Sequence, residues 1–60
     1  SYIRGGKGYI EAFSDTSKRL NIYNLNGQKV ADVELMAGQQ YSIALSPGIY
    51  IVEGTKIMVR

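Results

Sequence analysis

One stretch constrains the fold more than any other: RLNIYNLNGQKVADVEL, residues 19–35. Asn26-Gly27 is the pair preferred in a two-residue type I′ hairpin loop, because both central positions need positive φ. Such a loop sets a register. It places Leu25 opposite Gln28, Asn24 opposite Lys29, Tyr23 opposite Val30, Ile22 opposite Ala31, Asn21 opposite Asp32, Leu20 opposite Val33 and Arg19 opposite Glu34. The faces then sort. Leu20, Ile22, Ala31 and Val33 fall on one side; Arg19, Asn21, Asp32 and Glu34 fall on the other, with Arg19 and Glu34 as an opposite-charge pair. A slip of one residue would turn Asp32 and Glu34 into the core. Turn chemistry and alternation are independent inputs, and they agree.

The rest of the chain alternates in the same way, and no segment sustains helical spacing. The pattern predicts strands at 2–4, 8–13, 19–25, 28–35, 40–45, 48–53 and 56–60, most of them separated by glycine-containing turns. Seven short strands this closely punctuated mean an all-β sandwich or a small barrel. YIEAF puts Ile10 and Ala12 on one face and Tyr9, Glu11 and Phe13 on the other. YSIAL puts Tyr41, Ile43 and Leu45 together. Pro47 ends that strand because it has no N–H for a ladder. The last hairpin is expected to turn through a three-residue loop, Glu53-Gly54-Thr55. That loop sets Ile51 against Ile57, Ile49 against Val59 and Tyr50 against Met58. It gathers the aliphatics on one face, with Lys56 and Arg60 sharing the face of Met58.

At 60 residues the chain is one domain, residues 1–60, with a small core. It has no Cys, so neither disulfides nor thiolate metal sites can support it, and no His, which removes the commonest general base and metal ligand. The serines therefore lack a His partner. Asp32 and Glu34 share a strand face, but that face points to solvent and Arg19 answers it. GGKG at residues 5–8 lacks the P-loop pattern and any following helix, and reads as a plain turn. No apolar run approaches the roughly 20 residues of a membrane helix, so no membrane insertion is expected. The residues point to a protein that is not an enzyme and needs no cofactor or metal. Net charge is +2 and the isoelectric point 9.1. The cations are scattered, so no nucleic-acid footprint stands out. Five tyrosines and one Phe could still form a stacking surface. Tyr23 and Tyr50 are out of phase with their aliphatic neighbours: they could cap the outer face, line a contact surface or pack in a second layer.

Three blocks in order carry a resemblance. The first holds Ile22, Tyr23, Leu25, Gly27 and Val30. The second is SPGIYIV, with Pro47, Gly48, Tyr50, Ile51 and Val52 as a shortened Pro-x-Gly-x-Tyr. The third holds Gly54, Lys56 and the closing Val59-Arg60. Over roughly residues 19–60 the chain resembles the C-terminal sorting domain of the type IX (Por) secretion system of Gram-negative bacteria. That resemblance implies a small immunoglobulin-like antiparallel β-sandwich of about seven short strands, C-terminal to an upstream cargo domain in a longer secreted protein. It implies recognition by the outer-membrane translocon, removal by a surface peptidase, and localisation to the cell surface by way of the periplasm. The expected recognition residues are Pro47, Gly48, Tyr50, Ile51, Val52, Gly54, Lys56 and Arg60, with Asn26 and Gly27 as turn formers. Two rival readings fit the same residues: an immunoglobulin-like adhesion or spacer module of a surface protein, and a small nucleic-acid-binding β-barrel.

Overall fold

A computed structural model describes all residues, 1–60. Seven antiparallel strands form two sheets: β1 (Tyr2–Gly5), β2 (Tyr9–Phe13), β3 (Lys18–Asn24), β4 (Lys29–Leu35), β5 (Gln40–Ala44), β6 (Gly48–Val52) and β7 (Thr55–Val59). One sheet has the order β1-β2-β5 and the other β4-β3-β6-β7. Three hairpins stay within a sheet, and three connections cross between sheets. This is the immunoglobulin-like Greek-key sandwich, with the fourth strand bonded to the third. The expected all-β sandwich of seven strands is therefore what forms, with strand limits shifted by at most one residue.

The core lies between the sheets. Ile10 and Ala12 come from β2, Leu20 and Ile22 from β3, Leu35 from β4, Tyr50 and Val52 from β6, and Ile57 and Val59 from β7. Ile3, Ala31, Val33, Tyr41, Ile43 and Leu45 are half-buried around them. Accessible surface is 3831 Å², close to the roughly 3,900 Å² of a compact monomer of this mass.

The β3–β4 hairpin has the expected body but a different turn. Lys18 to Ile22 pair with Leu35 to Ala31 in the expected register, and the apolar and charged faces are as alternation requires. Only Gly27 has positive φ, at 83°; Asn26 does not. The turn is a three-residue loop, with Asn24 N–H bonding Gln28 O (2.9 Å) and Gly27 N–H bonding Asn24 O (3.1 Å). Asn24 Oδ1 accepts the amides of Asn26 and Gln28, at 2.9 and 3.0 Å. That side chain favours a type I turn closed by a left-handed glycine over the type I′ form. The longer loop sets Tyr23 against Lys29, one step away from the core register. A bulge at Val30 absorbs the step before Ile22 meets Ala31. The burial of Leu20 and Ile22 fixes the register of the body, and the bulge reconciles it with the turn.

The β6–β7 hairpin corrects the expected register. Its loop has two residues, Glu53 and Gly54, with φ of 52° and 77°. Both are left-handed, as in a type I′ turn, whose twist matches the flanking strands. Val52 therefore pairs with Thr55, Ile51 with Lys56, Tyr50 with Ile57 and Ile49 with Met58. The expected pairs of Ile51 with Ile57, Ile49 with Val59 and Tyr50 with Met58 do not form. Tyr50 and Val52 face inward, while Ile49 and Ile51 face outward. Tyr50 compensates for its polar end by donating its hydroxyl to Ser46 O at 2.6 Å, four residues back across the β5–β6 arch. Such a link is the tyrosine corner of Greek-key sandwiches. It explains how a tyrosine can occupy a core position that periodicity would give to isoleucine.

The sheets also touch along one edge. Arg60 N–H bonds Gly6 O at 2.9 Å, and β7 runs beside Gly5. A Cβ at Gly5 would clash with the Met58 carbonyl oxygen. Glycine there permits the close approach that zips β1 onto β7 at one end.

Candidate recognition surface

The outer face of the β4-β3-β6-β7 sheet divides into two halves. Over β3 and β4 it is charged and internally neutralised. Arg19 Nη1 lies 2.9 Å from Asp32 Oδ1 and Nη2 lies 3.9 Å from Glu34 Oε1, while Lys29 Nζ lies 3.4 Å from Asp32 Oδ2. These exposed carboxylates have cation partners and no cavity, so the arrangement is that of a solvated charged face.

Over β6 and β7 the face is apolar with free cations. The two-residue loop turns Ile49, Ile51, Lys56 and Met58 to this side, and Tyr23 joins them from β3 opposite Ile51. Met58 is 60% exposed and Ile49 40%; Tyr23 is also exposed. Lys56 and Arg60 flank Met58, about 13 Å apart along the strand. Neither has a carboxylate within ion-pair distance. Arg4, Lys18, Arg19 and Lys29 are all paired, and Lys7 is the one other unpaired basic side chain.

The expected recognition residues thus separate by depth. Ile51, Lys56 and Arg60 lie on the outer face. Pro47 and Gly48 are exposed on the arch that enters β6, and Gly54 is exposed in the β6–β7 turn. Tyr50 and Val52 are buried and act on that face only by holding the hairpin in place. Asn26 and Gly27 form the turn at the far end of β3. Ile49 lies outside the expected set because a three-residue loop would turn it inward; Met58, expected on the face of Lys56 and Arg60, lies there. Gly54 suits the second left-handed position of a two-residue loop, but Glu53 gives no signal for the first, so the turn that exposes Ile49 is not legible from residue preference.

The other sheet carries an aromatic cluster. Tyr2 and Phe13 stack across β1 and β2, with centroids 5.8 Å apart and planes at 20°. The Arg4 guanidinium sits 4.6 Å over the Tyr2 ring and donates to Glu11 Oε1 at 2.7 Å. That hydrogen bond, and then the carboxylate's charge, raise the Arg4 pKa above its ordinary value. The cation is already spent on Glu11, and the cluster reads as a structural cross-strand pairing. A cleft of about 270 Å³ opens where β1 and β7 diverge, between Ile3 and Ile57, with the Lys18–Glu53 ion pair (3.1 Å) at its mouth. No buried side-chain nitrogen or oxygen lacks a partner, so nothing polar is held in wait for a ligand there.

Compared with protein-family models, curated proteins and solved structures, the chain has no match.

Proposed function

We propose that this domain is a non-enzymatic C-terminal secretion and sorting signal, recognised by the outer-membrane type IX translocon and exporting an upstream cargo to the cell surface. The reading rests on the three sequence blocks and on one structural observation: the outer face of β6–β7. A sandwich with free cations on one hairpin, when its other strand cations are paired, has charge available for a partner. The apolar centre of Ile49, Ile51 and Met58 supplies area, and Lys56 and Arg60 supply direction. Charge complementarity of this kind sets specificity and encounter rate more than raw affinity. A partner surface with an apolar strip and carboxylates at its rim would fit.

The test is export of a folded periplasmic reporter fused to residues 1–60, in a bacterium with a type IX system. The intact fusion is expected at the cell surface. Deleting β7 is a poor control, because Ile57 and Val59 belong to the core and their loss would unfold the signal. Charge reversal, Lys56→Glu with Arg60→Glu, leaves the core untouched and is expected to strand the fusion in the periplasm. Retention of the intact fusion would overturn the proposal and favour an adhesion or spacer module.

A further inference from the structure

From Leu35 to Val52 the chain carries no charged side chain. The whole of β5 lies inside this run, and β5 is an open edge, bonded to β2 on one side and to nothing on the other. Exposed edges are usually blunted by charge, proline, a bulge or a covering element. The other edges of this molecule follow that rule. β4 carries Lys29, Asp32 and Glu34 and is bulged at Val30. β1 and β7 cover one another where Arg60 bonds Gly6. QYSIA has none of these devices.

Its backbone geometry is self-complementary. Leu45 N–H bonds Gly8 O at 3.1 Å. By antiparallel alternation, Tyr41 and Ile43 also turn their amides toward β2, whereas Gln40, Ser42 and Ala44 turn theirs to the open side. A two-fold axis through Ser42 would bring each of those three residues onto an outward-facing residue of a second copy. Ser42 would meet Ser42, and Gln40 would meet Ala44, giving about six backbone hydrogen bonds. The side chains obey the same symmetry. Tyr41 would lie beside Ile43 of the second copy on the inner face, where both are only half-buried in the single chain. No like charges would be opposed. A charged edge would repel its own copy, so an uncharged one favours self-pairing over capture of a charged peptide.

We infer that β5 pairs antiparallel with β5 of a second copy about Ser42, joining the two three-stranded sheets into one of six strands. A five-residue edge is a small interface, so association belongs in the range of about 0.1–1 mM.

Sedimentation of the 60-residue chain up to about 1 mM tests this, together with amide hydrogen exchange at each concentration. A concentration-dependent dimer is expected, with the Ser42 and Ala44 amides gaining protection as it forms. Two variants separate pairing from folding. Ser42→Lys places two cations face to face at the axis, yet within one chain it sits opposite Glu11, which favours the fold. Ser42→Pro removes only an amide that bonds nothing in the single chain, a position where edge strands accept proline. Both are expected to stay folded and monomeric. A wild-type chain that remains monomeric at about 1 mM would overturn the inference. So would a dimer that persists in both variants, or one whose new protection falls on β4 or β7.

Discussion

Two single residues hold close contacts where the sandwich closes. Gly5 lies against the Met58 carbonyl, and that contact is backbone to backbone, so neither side can yield by changing rotamer. Gly5→Ala should push β1 away from β7 and cost about 2–3 kcal/mol, in the range of overpacked sites. Gly8→Ala is the control. Gly8 has φ of 86° with open space around it, so only the left-handed conformation is penalised, by about 1 kcal/mol. Urea denaturation midpoints should rank the two in that order. Tyr50 is the second residue. Tyr50→Phe keeps the ring in the core and removes the hydroxyl bonded to Ser46 O. A loss of about 1 kcal/mol is expected, with the register of β6 and β7 unchanged in backbone chemical shifts.

At the scale of elements, the two hairpins exchange the turns that their sequences suggest. Asn26-Gly27 has the composition of a type I′ loop, yet Asn24 Oδ1 holds a longer one. Glu53-Gly54 adopts the left-handed pair that residue preference gives to asparagine. Periodicity found every strand, because strand existence follows from alternation and glycine placement. It also fixed the body of β3–β4, where burial of Leu20 and Ile22 leaves one choice. It could not fix β6–β7, because GIYIV is apolar on both faces and either register buries bulk. The two-residue turn at Glu53-Gly54 selects the observed register, and the Tyr50 hydroxyl adds its bond to Ser46 O, a partner visible once the arch between sheets is formed. The outward position of Ile49 was hidden for the same reason. The bulge makes a further prediction. Deleting Val30 would let the register of the turn run directly into that of the core, with Lys29 outside and Ala31 inside. Deleting Asp32 would turn alternate residues of β4 to the wrong face. The first deletion should retain a cooperative unfolding transition and the second should lose it, as followed by circular dichroism.

At the scale of the molecule, nine buried apolar residues hold two sheets together, and the chain has no Cys for a disulfide. Such a small core gives marginal stability. Each strand of the last hairpin is two-sided: Tyr50, Val52, Ile57 and Val59 face in, while Ile49, Ile51, Lys56, Met58 and Arg60 face out. The proposed recognition of the outer face would then depend on an intact fold, and destabilising the core should weaken it indirectly. Charge reversal at Lys56 and Arg60 avoids that coupling, since both are exposed and unpaired.

The most direct measurement is surface display of the reporter fused to residues 1–60, compared with its Lys56→Glu, Arg60→Glu variant, in a bacterium with a type IX system. Circular dichroism of the two isolated domains would establish equal folding first. Surface display of the parent is expected, with a fall of about tenfold or more in the variant, the scale of one unfavourable charge contact in recognition. Equal display of the two, with both folded, would contradict the assignment of recognition to the outer face of β6–β7.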